Sequence, residues 1–485
     1  MTRALMWFRS DLRVRDNTAL AAACRAASDV PQGGVVALFV VSPGEWAEHD
    51  FAPVKVDLML RTLRELSPSL AKLNIPLVLA DAKTRHDVPG VVLAVAKQHR
   101  CDALHFNLEH ELNERRRDER TIEVFEAAGL KAGGHHDQCL ATPGDVRTGE
   151  GRFFTVFTPF KKASYKRMYE RGVPEVVPMP KPQAKTNIAS SPIPGVVPGF
   201  ESNVDPALWP AGEAWAHKRL TKFCADAIVP YKARRDFPGV VGTSKLSPYL
   251  TVGAISHRQC IAAAIEANPK SRAPLDVGPE GITHWISEVL WREFYIHIMV
   301  GFPRGCMGRA FQPATEVIRW NDDERVFEAW CEGRTGVPIV DAGMRQLART
   351  GWMHNRVRMI TAMFLTKNLF VDWRKGERWF MRHLVDGFLA SNNGGWQWSA
   401  STGTDAAPYF RIFNPISQSQ KFDEQGEYIR EFVPELADVQ GEAIHEPWTL
   451  PLLLKPKLDY PTEPIVDISK SRERAIEAFR DLKKA

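Results

Sequence analysis

The stretches ALMWF (4–8), NTALAAACRAA (17–27) and VVALFVV (35–41) decide the fold of the first part of the chain. A short apolar run, a helix-forming segment and a second apolar run of β-branched residues follow one another at βαβ spacing. The same alternation continues through PLVLA (76–80) and ALHF (103–106), with helical patterns near 54–73, 88–98 and 114–128. Four apolar runs separated by helices predict an α/β domain, a doubly wound parallel sheet, over residues 1–140. No G-x-G-x-x-G follows the first run, so the usual dinucleotide pose is not signalled there.

Working outward, residues 171–210 hold nine prolines and little periodicity, which predicts an extended connector. The connector is placed at 141–211. From 212 to 485 the pattern is helical, with apolar residues at i, i+3, i+4 spacing in 281–300, 341–370 and 378–391, and a large all-α domain is expected.

The chain has 485 residues, 44% hydrophobic and 25% charged, with a net charge of +5. These values suit a water-soluble protein with two or three sizeable cores and exclude a disordered tail or a small disulfide scaffold. No apolar run reaches the ~18–20 residues of a spanning helix. MTRALMWFRSDLR lacks the marks of a signal peptide. Seven cysteines, without a CxxC pair, predict free thiols in a cytoplasmic protein. The charge permits an anionic partner without demanding one. Ten of the fourteen tryptophans lie from Trp285 onward, which fits a large core, stacking or electron transfer.

Three stretches of the helical half place unusual residues together. In THWISEVLWREFY (283–295), Trp285, Glu288 and Arg292 are spaced +3 and +4, with Trp291 beside them. Either Glu288 pairs with Arg292 on the surface, or the face lines a site. In GWMHNRVRMI (351–360), Asn355, Arg358 and Met359 share a stripe that is either solvated or lines a polar pocket. In DGFLASNNGGWQWSASTGTDAAPYFRIFNP (386–415), Asn392-Asn393-Gly394-Gly395 is expected to break the helix and bring backbone close to a flat or anionic group. GTSKLSPYL (242–250) offers Thr243, Ser244 and Ser247 either as a phosphate seat or as an ordinary cap. Basic residues Lys161, Lys162, Arg235, Arg356, Arg411 and Lys421 are scattered, and sequence alone does not gather them onto one face. No Walker loop, HExxH or GxSxG occurs, and no metal site is expected.

WFRSDLRVRDNTAL (7–20), WREFY (291–295), TGWMHNRVRMI (350–360) and NNGGWQWSASTGTDAAPYFRIFNP (392–415) resemble the photolyase/cryptochrome family, in the family's order, from Ala4 to about Tyr460. The similarity is greatest to bacterial class I cyclobutane pyrimidine dimer photolyases with a folate antenna. The resemblance implies an α/β antenna domain, a connector, and a helical domain that binds FAD and DNA. It implies light-driven splitting of cyclobutane dimers by electron transfer from FADH⁻ in a monomeric enzyme, with UV-damaged DNA as substrate and neither membrane nor protein partner. By the same resemblance, Tyr231, Thr243, Ser244, Lys245, Leu246, Ser247, Trp285, Glu288, Arg292, Asn355, Arg358, Asp386 and Asn392 hold FAD, with Arg358 pairing with Asp386. Glu288, Asn355, Asn392, Trp291, Met359 and Trp398 serve catalysis, and Trp320, Trp373 and Trp396 carry electrons. Arg235, Arg356, Arg411 and Lys421 contact DNA. HELNERRRD (110–118) resembles the folate pocket, with His49, Asn113, Glu114 and Cys306 around 5,10-methenyltetrahydrofolate.

Two positions depart from the pattern. Met307 stands where a lysine is often found. Phe388 replaces the second aspartate of the usual Asp-Gly-Asp, so weaker FAD retention or a shifted flavin potential is expected. The alternatives are a blue-light photoreceptor of the cryptochrome type and a catalytically silent DNA-binding protein. Asn392, Asn355, Met359 and the short C-terminal tail speak against the photoreceptor, and the tryptophan series against the silent binder.

Overall fold

The strands β1 (Arg3–Phe8) and β2 (Gly34–Val41) are buried along almost their whole length. Strands covered on both faces read as unbroken apolar runs, which is why these two were legible in the sequence. With β3 (Leu77–Asp81), β4 (Ala103–Asn107) and β5 (Lys131–His135) they form a parallel sheet in the order β3-β2-β1-β4-β5. The computed structural model describes residues 3–27, 33–269, 275–451 and 459–482. Helices α1 (Thr18–Ala26), α2 (Pro43–Glu48), α3 (Pro53–Ala71), α4 (Val88–Gln98) and α5 (Leu112–Ala127) connect the strands, and Asn17 caps α1 through the Leu20 N–H. The chain reverses direction across the sheet between β1 and β4, the switch point at which such sheets open a crevice.

β5 and the short α2 were not expected. The β5 sequence KAGGH has no alternation to read. Gly134 keeps space there, since a Cβ on it would lie 2.5 Å from the Leu108 side chain.

The chain forms two compact units. The first is Met1–Val229 with Ser244–Pro303 and Val385–Phe388, and the second is Pro230–Thr243 with Arg304–Leu384 and Leu389–Ala485. The stretch expected as a connector contains a 15-residue helix, α6 (Phe157–Arg171). Residues 172–205 hold neither helix nor strand. They cover the free edge of β3: the Leu79 N–H donates to Ser191 Oγ (3.0 Å) and the Ser191 N–H to the Leu77 carbonyl (2.8 Å).

A buried ionic group joins the 244–303 segment to the sheet layer. Arg258 spans Asp16 (2.8 Å) and Asp137 (2.6 Å), and Arg13 also pairs with Asp137. Burial opposes ionisation of Asp137, but the two guanidiniums outweigh it and hold the carboxyl below its usual range. Gly253, at φ +72°, lets this segment touch the loop after β1; a Cβ there would lie 2.1 Å from the Ser10 carbonyl oxygen.

The second unit has no strand among its described residues. Its core gathers Trp330, Trp373, Trp396, Phe364, Phe380 and Tyr428. No described helix in either unit is long and apolar enough to cross a membrane.

Candidate active site

In the first unit, the helix Glu280–Gly301 carries Trp285, Glu288, Trp291 and Arg292. Trp285 is buried against Phe223, at 5.2 Å between centroids. Glu288 lies 3.5 Å from His284 Nε2. The surface pair of Glu288 with Arg292 is not what forms, because the arginine turns inward. Its guanidinium sits 3.8 Å from the centroid of the Phe388 ring. Burial pushes the Arg292 pKa down to about 10, partly offset by Asp386 and Glu111. Trp291 stacks on Phe157 of α6 at 3.7 Å and 12°.

The run Ser244–Ser247 leads into a short helix, Ser247–Thr251, which has no side-chain cap. Lys245 takes φ +49°. Ser247 is not the ordinary cap that the sequence left open, because its Oγ donates to Asp386 Oδ2 at 2.6 Å. Thr243 and Asp386 fall in different units, as do Arg358 and Asp386. Within its own unit, Arg358 donates to the Met353 carbonyl (2.8 Å).

In the second unit, the helix Asn355–Met363 begins with the exposed Asn355. Its Nδ2 reaches Met359 Sδ at 3.9 Å, so the pair falls on one stripe as its spacing predicted. The preceding His354 caps the helix by accepting the Arg356 N–H on Nδ1, and burial pushes its pKa down to about 4.

Residues 389–400 are helical, which corrects the expectation that Asn392-Asn393-Gly394-Gly395 would break the helix. Weak helix propensity costs about 1 kcal/mol per glycine, and the surrounding contacts outweigh it. Asn392 Nδ2 donates to the Glu377 carbonyl (2.9 Å), Asn393 Nδ2 to Glu377 Oε1 (2.8 Å), and Gln397 Nε2 to Asn393 Oδ1 (2.8 Å). Gly395 faces open space: a Cβ there would meet nothing within 4 Å. The free strip passes from Asn392 through Gly395 to the half-buried Trp398, three residues apart at each step. A strip bare of side chains between an amide and an indole fits a flat ring system such as a flavin.

Trp396 is 2% exposed and meets Phe380 edge-on at 4.9 Å. A Cβ on Gly376 would lie 2.1 Å from the Trp396 ring, so the indole rests on the backbone of the helix Trp373–Met381. Trp373 is fully buried, and Trp320 is half-buried against Phe370 at 5.1 Å. Of the three predicted tryptophans, Trp396 and Trp373 thus lie in the core and Trp320 is partly exposed. Trp330 also meets Trp396 edge-on, at 6.0 Å; neither it nor Phe380 stands out in the sequence, since their spacing reads as ordinary core.

Three of the four predicted DNA-contact residues cluster in the second unit. Arg356 lies 2.9 Å from Asp236, and Arg235 lies 3.6 Å from the same carboxylate. Arg356 and Lys421 both sit over the Phe422 ring, at 4.4 and 5.2 Å. Arg411 is exposed. Lys161 and Lys162 lie on α6 in the first unit. Tyr231 is buried, with Arg235 over its ring at 5.5 Å.

Three of the four predicted antenna residues meet within the first unit. His49 is 3.0 Å from Asn113 Nδ2 and 3.1 Å from Glu114 Oε1. A cleft beside them is lined by Trp7, Phe39, Trp46, Phe51, Glu109 and Arg117. Glu111 and Glu114 are each pushed up to about 7, by burial and by neighbouring carboxylates. Cys306 belongs to the second unit, and Met307 is exposed.

The model of the DNA photolyase family matches residues 4–183, and the FAD binding domain of DNA photolyase matches residues 285–481. The chain is 44% identical to the deoxyribodipyrimidine photo-lyase of Escherichia coli (strain K12), covering 100% of both chains. The chain belongs to the DNA photolyase family. A bacterial class III photolyase from Agrobacterium tumefaciens superposes with a TM-score of 0.86 at 35% identity, covering 100% of this chain and 98% of that one. A cryptochrome from Synechocystis gives 0.87 at 27% identity over 99% of each. The family's fold thus serves repair enzymes and a cryptochrome alike, and side chains must separate the two. The FAD-binding domain match makes the chain a flavoprotein of this family, and the bare Asn392–Gly395–Trp398 strip suits that cofactor.

Proposed function

We propose that the chain is a light-driven DNA repair lyase, a deoxyribodipyrimidine photo-lyase that splits cyclobutane pyrimidine dimers. The observation that carries this reading is the full-length 44% identity to a protein of that name. When bound, reduced FAD would supply the electron that splits the cyclobutane ring and would take it back. The work of the chain is binding, orientation and electrostatics.

The FAD set proposed is Tyr231, Thr243, Ser244, Lys245, Leu246, Ser247, Trp285, Glu288, Arg292, Asn355, Arg358, Asp386 and Asn392, each acting from its own unit. Asn392 is a neutral amide held by the Glu377 carbonyl. It has no carboxylic proton to give, which favours the anionic reduced flavin. Asn355 donates from its amide Nδ2–H, and Glu288 from a carboxyl O–H, to the pyrimidine carbonyls, which stabilises negative charge as it develops there. Trp291, Trp398 and Met359 give the dimer apolar walls once it leaves the stack, a step whose cost is least for a damaged base; photolyases are among the stated examples of this principle.

Arg235, Arg356, Arg411 and Lys421 hold phosphates, which supplies affinity without sequence information. Trp396, Trp373 and Trp320 pass electrons inward. The antenna is read as 5,10-methenyltetrahydrofolate at His49, Asn113 and Glu114, with Cys306. Antenna binding is assigned to residues 1–140, the connector to 141–211, and FAD and DNA binding to 212–485. The enzyme is read as a cytoplasmic monomer.

The test is recovery of intact thymines from a thymine-dimer oligonucleotide incubated with photoreduced protein in blue light and in darkness. Light-dependent recovery supports the reading. FAD-loaded protein without recovery would leave a photoreceptor or a repair enzyme impaired at Phe388, and the same assay on Phe388→Asp separates the two.

A further inference from the structure

Lys55 is the third residue of α3, 6% exposed, at the positive end of a helix dipole. A buried ammonium in that place is costly unless something on the other side requires it. Burial pushes its pKa down to about 8, against the pull of Glu111, Glu109 and Glu114 from the β4–α5 side. Arg292, on the helix Glu280–Gly301, acts with burial, since its like charge also lowers the Lys55 pKa. The ammonium sits 3.3 Å from the centroid of the ring of Phe51, a residue that lines the cleft beside His49, and donates to the Gly387 carbonyl at 2.9 Å.

Gly387 lies between two residues that are each held by other elements of the first unit. On one side, Asp386 accepts from Ser247 through its carboxylate and from Thr251 through its carbonyl (3.3 Å). On the other, Phe388 lies under Arg292. The segment is therefore pinned from three elements: the 247–251 turn, the Glu280–Gly301 helix and, through Lys55, the sheet layer. All of these residues belong to the first unit.

We propose that Lys55 is a positioning residue that fixes the Asp386–Gly387–Phe388 segment from the antenna side, and so sets how firmly the chain retains FAD. The inference rests on the flavoprotein reading above. With Phe388 in place of a carboxylate, the segment has one polar anchor fewer toward a ligand. Its backbone position then depends more heavily on the bond to Gly387. Glu109 and Glu114, which line the cleft beside His49, act on the same ammonium electrostatically.

The experiment compares wild type, Lys55→Met and Lys55→Arg in two measurements on the full chain. The first is FAD dissociation, followed by flavin fluorescence. The second is amide hydrogen exchange at residues 385–388 relative to β1 and β4, which needs no flavin. The expected result is at least tenfold weaker FAD binding in Lys55→Met, faster exchange confined to 385–388, and recovery of both in Lys55→Arg. Unchanged affinity and exchange in Lys55→Met would overturn the proposal. So would exchange that accelerates equally in β1 and β4, with no rescue by arginine, because that marks a general stabilising role. A wild-type chain that retained no FAD would instead overturn the flavoprotein reading, and the exchange comparison would still decide the role of Lys55 at Gly387.

Discussion

The Arg292 guanidinium rests over the Phe388 ring, 3.8 Å from its centroid. A buried cation on an aromatic face is held by about 0.5–2 kcal/mol, less than a desolvated carboxylate partner would give it. Phe388→Asp converts the contact into an ion pair and restores a hydrogen-bond acceptor beside Asp386. We expect higher FAD content in the purified protein or a shifted flavin midpoint potential. Equal content and equal potential in the two proteins would refute the role given to Phe388.

Arg258 is shared by Asp16 and Asp137, with all three buried. Arg258→Met leaves two carboxylates short of their cation, and breaking such a group costs about 3–5 kcal/mol. Urea unfolding followed by circular dichroism should show the loss. A change under about 1 kcal/mol would mean that Arg13 alone satisfies Asp137.

His354 has its pKa pushed down by burial to about 4. The unfolded chain takes up that proton near pH 6.5 while the folded chain does not, so stability falls as pH drops from about 6.5 toward 4. His354→Asn keeps a capping acceptor and does not titrate. Between pH 7 and 4, wild type should lose about 3 kcal/mol relative to this variant. Parallel pH profiles of unfolding free energy would contradict the assignment.

Arg356 shares Asp236 with Arg235 and covers Phe422. If it neutralises one phosphate, Arg356→Ala lowers the slope of log K against log salt by about 0.9 and weakens damaged and undamaged DNA alike. A filter-binding titration at several salt concentrations reads both. An unaltered slope would remove Arg356 from the phosphate contacts.

Trp320 is the partly exposed member of the tryptophan series. Trp320→Phe should slow photoreduction of oxidised flavin at least tenfold, while chemically reduced protein repairs dimers at the wild-type rate. Equal photoreduction would place the route elsewhere, and Trp330 would be the next residue to substitute.

Part of this protein was determined by local sequence. The apolar runs of β1 and β2, the Asn17 cap and the +4 spacing of Asn355 and Met359 each rest on neighbours a few residues away. The order from buried Trp396 to half-buried Trp320, and the meeting of His49 with Asn113 and Glu114, needed the fold as well as the motif. The helix through Asn392–Gly395 was misread because Asn and Gly disfavour helices locally. The bonds that Asn392 and Asn393 donate to Glu377 supply what propensity lacks and depend on packing, whereas the Gln397–Asn393 bond lies within the helix. Only tertiary structure gathered Arg235, Arg356 and Lys421 around Asp236 and Phe422. It alone brought Lys55 to Gly387, 332 residues away. A buried charge is stable only where the whole fold supplies its partner, and no local pattern in the sequence records a partner so distant.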